Sequence, residues 1–239
     1  DVFYASTAGA GLYKTSDRGD HWQHIGESLP QAWITAIEVD PIDNQVVYVG
    51  IREGFVFRSA DGGITWAPAG GVTEAMISTL VVDPEQPQRI YAGTIGRGLF
   101  RSDDAGRHWA SKGANIGKDV QRIIIDSRGP QTSIYVLTEK GVFSSHDAGE
   151  SWEPYLSRVA DIVSPIKGDA EPVAVTRVDM SYVKGYGLSE ARVVPCDLVA
   201  PQAQLKGLTT SPVAPQTLYV LAEQQGVFRS TDLGASWTS

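Results

Sequence analysis

One eight-residue pattern, Ser/Thr-x-Asp-x-Gly-x-x-Trp, recurs five times, as TSDRGDHW (15–22), SADGGITW (59–66), SDDAGRHW (102–109), SHDAGESW (145–152) and STDLGASW (230–237). The aspartates of successive copies are separated by 44, 43, 43 and 85 residues. The last interval is about twice the others, so one unit of the series lacks the pattern. A fixed period of this length is typical of proteins built from stacked structural repeats.

Short strand-like segments accompany every copy of the pattern. A segment containing a tyrosine lies about a dozen residues upstream, and a glycine followed by a second short aromatic segment leads into the pattern. Aliphatic segments stand further upstream at 34–41, 77–84 and 120–127, with a weaker one at 205–212. These segments are rich in Val, Ile, Tyr and Phe and are separated by turn-forming residues, which predicts β-strands. We therefore expect four antiparallel strands per unit, A to D, with the pattern between C and D.

Four antiparallel strands in about 43 residues match one blade of a β-propeller. A blade cannot bury both of its faces alone, so neighbouring blades must stack around an axis. We predict an all-β fold in which residues 1–239 form a single β-propeller of about six four-stranded blades, with seven in a full-length chain as the alternative. The expected blades are 1–27, 28–70, 71–113, 114–156, 157–200 (degenerate) and 201–239, with both ends incomplete.

The composition excludes several classes of function. Hydrophobic residues make up 42% of the 239, which suffices for a packed core. The net charge of −8 comes without the clustered Lys and Arg that nucleic-acid binding requires. No apolar run approaches the roughly 18 residues of a membrane-spanning helix. The single cysteine, Cys196, excludes an internal disulfide framework and a multi-cysteine zinc site.

The repeated pattern resembles the Asp-box, or BNR repeat, of sialidases, sortilin-type receptors, xyloglucanase-type glycoside hydrolases and photosystem-assembly propellers. This resemblance implies that each box lies on the C–D turn at the rim of its blade. There the aspartate would bind turn amides, the glycine would adopt a positive φ, and the tryptophan would pack between sheets. The residues given these structural roles are Asp17, Gly19, Trp22, Asp61, Gly63, Trp66, Asp104, Gly106, Trp109, Asp147, Gly149, Trp152, Asp232, Gly234 and Trp237.

The unit that has lost its box falls within residues 153–205. Its strand A is expected within 158–165, strand B within 172–178, and the remaining strands within 180–195. Two interpretations stay open. Either one blade lost its rim motif through sequence drift that the fold tolerates, or the B–C loop carrying Tyr182, Lys184 and Tyr186 was remodelled to bind a ligand.

The sequence predicts no catalytic residue, no metal site and no cofactor, and therefore disfavours an enzyme. The box aspartates occupy the same position in successive blades and are far apart, whereas hydrolysis by paired carboxylates needs groups roughly 5–10 Å apart. Asp40, Asp83 and Asp126 each end a strand A and are expected to open turns. The four histidines lie on different blades and cannot converge on one metal ion.

Binding is the activity that the sequence favours. The B–C and D–A loops of propellers form one face, where ligands usually bind. Trp33, in the first D–A loop, is the only tryptophan outside a box. Such an aromatic side chain suits a sugar or an apolar side chain of a partner, although it could equally cover the end of the blade core. The candidate partner-binding residues are Trp33, Arg52, Arg97, Lys140, Tyr182, Lys184 and Tyr186.

Two main functions follow from these observations. The first is a non-catalytic scaffold that binds a protein partner on the loop face. The second is a fragment of a carbohydrate-active glycoside hydrolase, or a carbohydrate-binding propeller. A weaker third option is a domain of an extracellular or envelope assembly in which a neighbour donates a strand. The resemblance implies an extracellular, periplasmic or cell-envelope location, with neither nucleic-acid binding nor membrane insertion.

Overall fold

In the computed structural model of the chain, the described residues form six small β-sheets that follow one another along the sequence. The structure describes residues 2–7, 11–30, 32–72, 74–127, 131–156, 159–163, 173–176, 192–195, 205–210, 217–222, 225–232 and 236–238. Within these ranges, no helix is long and apolar enough to cross a membrane.

The first four sheets are built from consecutive antiparallel strands. The first contains β1 (Phe3–Thr7), β2 (Gly11–Thr15) and β3 (Gln23–Ile25). The second contains β4 (Ile34–Val39), β5 (Val47–Ile51), β6 (Phe55–Ser59) and β7 (Ala67–Gly71). The third contains β8 (Met76–Val82), β9 (Ile90–Ile95), β10 (Gly98–Ser102) and β11 (Ala110–Ser111). The fourth contains β12 (Val120–Asp126), β13 (Ser133–Thr138), β14 (Gly141–Ser145) and β15 (Glu153–Leu156).

In the last two sheets, the described residues form three strands each. The fifth contains β16 (Val159–Val163), β17 (Val173–Thr176) and β18 (Arg192–Pro195). The sixth contains β19 (Leu205–Thr210), β20 (Leu218–Ala222) and β21 (Gly226–Ser230). A single antiparallel bridge between Arg229 and Thr238 adds to the outer edge of the sixth sheet.

The first and sixth sheets show three strands each among the described residues, in line with the expected incomplete ends. The expectation of four antiparallel strands is wrong for the fifth sheet, whose described residues form three strands that are not all antiparallel. In the fifth sheet, β18 pairs with β17 in parallel. A parallel pair needs a connection of about a dozen residues or more. Residues 177–191 supply that length, where the other sheets have a short hairpin between their second and third strands. The unit without a box therefore has a different topology.

The sheets stack around a common centre. The first strands of the second to sixth sheets, β4, β8, β12, β16 and β19, contact one another in sequence order. Apolar side chains fill the space between adjacent sheets: Leu12 of the first sheet packs with Val47, Val49 and Trp66 of the second. This arrangement confirms the all-β propeller fold.

Polar bonds join the third sheet to the fourth at the rim. The backbone carbonyl of Ala148 accepts from the Tyr91 hydroxyl (3.1 Å) and from the Arg101 guanidinium (2.7 Å). In the opposite direction, the Trp152 indole Nε1 donates to the carbonyl of Lys112, which follows β11 (2.6 Å). Each sheet therefore binds backbone atoms of its neighbour, in addition to packing apolar side chains against it.

The same bonds recur at other junctions. The Tyr4 hydroxyl (3.1 Å) and the Lys14 ammonium (2.8 Å) donate to the carbonyl of Gly62. The Trp109 indole donates to the carbonyl of Ala69 on β7 (3.2 Å). The repeated tyrosine, the basic residue of the third strand and the box tryptophan thus act together between blades.

Each box forms a turn whose hydrogen bonds come from its own residues. In the first box, the Thr15 hydroxyl donates to Asp17 Oδ1 (2.6 Å) and accepts from the Gly19 amide (3.1 Å). Asp17 Oδ1 also accepts from the His21 amide (3.0 Å). This turn connects β2 to β3. In the other boxes, the amide four residues after the aspartate likewise donates to its Oδ1, at Asp61, Asp104, Asp147 and Asp232.

In the first four boxes, the residue after the aspartate adopts a left-handed conformation, which the sequence pattern does not show. Its φ is 64° at Arg18, 59° at Ala105 and 60° at Ala148, and the second box has Gly62 there with φ 68°. This geometry turns the carbonyl of that residue toward the neighbouring sheet. Non-glycine residues in this region carry a backbone cost of about 1–2 kcal/mol.

We expect Ala105→Gly to stabilise the protein, because glycine relieves the left-handed strain while Gly62 shows that the turn accepts it. The greater backbone entropy of glycine in the unfolded state offsets part of the gain, leaving about 0.5–1 kcal/mol. Urea unfolding measures the change. The control is Ala110→Gly in the extended strand β11, which should lower stability by a similar amount. Equal losses for both variants would contradict the prediction.

Candidate functional site

Trp33 and Arg52, predicted as binding residues on separate loops, are brought together. Trp33 lies between β3 and β4 with 51% of its surface exposed, and Arg52 lies between β5 and β6. The guanidinium carbon of Arg52 stands 5.4 Å from the centroid of the Trp33 ring, within range of a cation–π interaction. The Arg52 amide also donates to the Trp33 carbonyl (3.0 Å), so backbone and side chain both hold the two loops together.

A cleft of about 440 Å³ opens beside Trp33, between the first and second sheets. Its wall combines apolar surface with one imidazole and one carboxylate. Residues that line it include Leu12, His24, Glu27, Leu29, Pro30 and Trp33. Trp33 therefore stands beside a recess with about half of its surface exposed.

The loops that carry Arg97 and Lys140 are held by backbone bonds. Glu139 accepts from the Lys118 and Asp119 amides, both at 3.0 Å, and Asp119 Oδ1 accepts from the Gly96 amide (2.8 Å). These bonds link the loops of the third and fourth sheets. The two carboxylates therefore fix the positions of these loops relative to each other.

Arg97 is the more constrained of these two cations. Its guanidinium pairs with Glu74 Oε2 at 2.6 Å, and both side chains are more than half exposed. Lys140 is also exposed. The remaining predicted binding residues, Tyr182, Lys184 and Tyr186, lie outside the described residues, as does Cys196.

The box aspartates are unsuited to acid–base chemistry at neutral pH. Hydrogen bonds, led by those from Thr15, Thr65 and Ser151, lower the pKa of Asp17, Asp61 and Asp147 to about 2. The pKa of Asp104 is lowered as well, mainly by hydrogen bonds from His108. These carboxylates stay ionised and bound within their own turns.

The aspartates that end the first strands of the second and third sheets open turns, as their sequence context suggests. Asp40 Oδ1 accepts from the amides of Ile42 (2.9 Å) and Asp43 (3.1 Å). Asp83 accepts in the same way from the amides two and three residues further on (2.9 and 3.3 Å). Both side chains are buried. Their oxygens therefore stabilise the turns that follow β4 and β8.

The histidines do not converge on a metal ion. His21 pairs with Asp17 (2.7 Å) and His108 with Asp104 (2.5 Å), each inside its own box. His146 Nδ1 contacts the Ser133 hydroxyl at 3.0 Å. Over the described ranges, no group of three or more His, Cys, Asp or Glu side chains could hold a metal.

Glu38 is the titratable group that the sequence reasoning missed. It lies on β4 and its Oε1 accepts from the Val82 amide of β8 (3.2 Å), an edge amide of the neighbouring innermost strand. Burial, with a smaller effect of the Asp40 charge, raises the pKa of Glu38 to about 7. The available signal was that glutamate is the one charged residue in the run ITAIEV. The hydrogen bond to Val82 shows that Glu38 links two adjacent blades; it does not show Glu38 as a member of a carboxylate pair.

We expect Glu38 to make stability depend on pH. Its pKa rises from 4.5 in the unfolded chain to about 7 in the fold, so its favourable contribution is complete below pH 4.5 and is lost as the pH rises to 7. The loss amounts to about 3 kcal/mol at most. The Glu38→Gln variant keeps the acceptor oxygen and does not titrate. The difference in unfolding free energy between wild type and variant, measured from pH 4.5 to 8, should change in this direction, and a constant difference would contradict it.

Comparisons with known proteins agree with the fold. A family model described as Sortilin, neurotensin receptor 3, matches residues 54–171. A xyloglucanase of Paenibacillus sp is 36% identical over 64 residues, which cover 23% of this chain and 6% of that protein. The chain thus spans a small part of the curated relative it matches.

Solved structures extend the likeness to nearly the whole chain. The GH74 xyloglucanase from Xanthomonas campestris is 18% identical with a TM-score of 0.67, over 99% of this chain and 43% of that one. YCF48 bound to D1 peptide is 13% identical with a TM-score of 0.62, over 98% of this chain and 76% of that one. Identities this low show a shared fold. The resemblance to Asp-box β-propellers of the sortilin, photosystem-assembly and xyloglucanase types, inferred from the repeated motif, is confirmed by these matches.

Proposed function

We propose that this chain is a non-catalytic Asp-box β-propeller that binds a protein partner on the face formed by its B–C and D–A loops. The exposed Trp33 ring, held against Arg52 beside a cleft, is the observation that carries the proposal. The propeller would have about six units with the boxes at their C–D corners. Such a scaffold requires no cofactor, and an extracellular, periplasmic or cell-envelope location follows from the family resemblance.

The chemistry of the Trp33–Arg52 pair suits recognition of a polypeptide. Interfaces are enriched in Trp and Arg at the positions that contribute most to affinity, because both bury a large area while keeping polar contacts. The cation–π contact and the backbone bond between these two residues fix the ring before a partner arrives, which lowers the entropy lost on binding. Lys140 is an exposed cation on another B–C loop and would favour an acidic side chain of the partner, whereas the charge of Arg97 is paired with that of Glu74. The D1 peptide complex of YCF48 gives a precedent for a peptide ligand on this fold.

The alternative function is a part of a carbohydrate-active glycoside hydrolase, or a propeller that binds carbohydrate. The similarity to xyloglucanases supports it, and an exposed tryptophan also suits a sugar ring. Hydrolysis would need two carboxylates roughly 5–10 Å apart on either side of a glycosidic bond. The carboxylates of the boxes and of the turns after β4 and β8 are bound by their own turns, which weighs against this alternative.

Binding to an array of short synthetic peptides, followed by titration of the best binders, tests the proposal. We expect Trp33→Ala to weaken binding by about 30-fold, as for a central hot-spot residue, and Arg52→Ala to weaken it less. The control Ile64→Ala removes an apolar side chain that is 73% exposed in the second box and should leave affinity unchanged.

The same samples are tested for hydrolysis of xyloglucan. Peptide binding that survives Trp33→Ala would contradict the proposed site. Release of sugar at a rate abolished by a point mutation would contradict the non-catalytic function and favour the alternative.

A further inference from the structure

A groove of about 400 Å³ opens at the rim between the third and fourth sheets. One wall of this rim groove is formed by residues 111–115, which begin at the end of β11, and the other by residues 149–152 of the fourth box. Both sheets have a neighbour on each side. The rim groove shares no lining residue with the cleft beside Trp33, and its volume lies within the range of small-molecule sites.

The early end of β11 creates the rim groove. In the second sheet, the longer outermost strand β7 lies so close to the third box that a Cβ on Gly70 would stand 2.7 Å from the carbonyl oxygen of Gly106. In the third sheet, β11 ends at Ser111, and the equivalent glycine, Gly113, packs against Ile116 of the loop that follows. The chain therefore turns away from the fourth box, and the space that β7 fills at the previous junction stays open.

An ion pair holds the two walls together. Lys112 Nζ stands 2.6 Å from Glu150 Oε1, and the Arg101 guanidinium approaches the same oxygen at 3.0 Å. At the previous junction, the corresponding positions carry Ala69 and Arg107, which cannot form this pair. Glu150 Oε2 makes no hydrogen bond within the described part of the chain. One oxygen of this carboxylate is thus fixed by the protein, and the other can accept from a ligand.

An amide, a hydroxyl and an indole ring complete the walls. Asn115 and Ser111 are exposed, and their side chains form no hydrogen bond among the described residues. Both side chains can donate and accept. The Trp152 ring is fixed, because its Nε1 donates to the carbonyls of Lys112 (2.6 Å) and Gly149 (3.1 Å). The rim groove therefore combines a held aromatic ring with hydrogen-bonding groups that the fold does not use.

This set of groups suits a neutral sugar ring. The Lys112 and Arg101 cations are each paired with a carboxylate, which leaves no net charge to attract an ion. Adjacent sugar hydroxyls can donate to Glu150 Oε2 and accept from the Asn115 amide, because a hydroxyl does both. The apolar face of a sugar ring packs on an aromatic side chain. The ion pair and the indole are held before a ligand arrives, which lowers the entropy lost on binding.

We propose that the rim groove binds one neutral sugar ring of a glycan. Glu150 Oε2 accepts from one hydroxyl, the Asn115 amide donates to the adjacent one, and the ring rests against Trp152. The site binds without breaking a bond, so it requires no acid–base pair. The inference is independent of the proposed protein partner, because none of the residues beside Trp33 takes part.

Titration of ¹⁵N-labelled protein with the neutral methyl glycosides of glucose, galactose, mannose and xylose tests the proposal. We expect at least one of them to bind in the millimolar range and to shift the NMR signals of the Asn115 amide and the Trp152 indole. Asn115→Ala should weaken that binding about five- to tenfold, because it removes a hydrogen bond to the ligand and none within the fold. The matched control, Asn44→Ala in the exposed turn after β4, should leave affinity unchanged.

A second variant, Ala114→Phe, fills the rim groove from an exposed position and should abolish binding without lowering Tm. Four results would each overturn the proposal. They are no binding of any of the glycosides, binding that Asn115→Ala and Ala114→Phe leave intact, binding that Trp33→Ala removes, and tighter binding of the charged methyl glucuronide than of methyl glucoside. The third result would place the sugar in the loop-face cleft, and the fourth would assign the rim groove to an anion.

Discussion

Every sheet of this protein must bury two faces, and a sheet of three or four short strands has no means of doing so alone. Along the second and third strands, successive side chains point to the two neighbouring sheets in turn. Val47 and Val49, for example, point toward the first sheet. Stacking around a centre satisfies this requirement for each sheet that has two neighbours. The box turn then joins adjacent sheets, because its left-handed residue directs a carbonyl toward the tyrosine and the basic residue of the sheet before it.

The same requirement explains why the box residues, which repeat most regularly along the chain, are not its candidate binding residues. The box aspartate, its hydroxyl partner and the box glycine are engaged by one another, so the carboxylates have low pKa values and stay ionised within their turns. The indoles of Trp109 and Trp152 each donate to the carbonyl of their own box glycine and to a carbonyl of the preceding blade. The loops at the other end of the strands do not contain box turns. There, Trp33 and Arg52 form an exposed pair beside a cleft.

Sequence reasoning predicted the all-β propeller and the strand order of the units that keep a box, because the period of about 43 residues and the short segments rich in Val, Ile, Tyr and Phe are local signals. It was wrong where a unit departs from the repeat. The parallel pairing of β17 with β18 depends on the long connection between them, whose path no local pattern specifies. It also missed Glu38, since the bond of its side chain to the Val82 amide joins residues 44 positions apart.

The sequence by itself determined the repeating unit, the residues of each turn and the likeness to Asp-box propellers, since hydrogen bonds within eight residues depend only on neighbours along the chain. Tertiary structure alone decided which loops meet and where a groove stays open between two sheets. Trp33 and Arg52 are brought together because β4 pairs with β5 in the register that sets Ile34 opposite Ile51, which places the two residues side by side at the ends of these strands. Gly70 and Gly113 occupy the same place in the repeat, yet Gly70 lies against the next box and Gly113 packs against its own loop. That difference depends on the path of the chain after the outermost strand, which the repeated pattern does not specify.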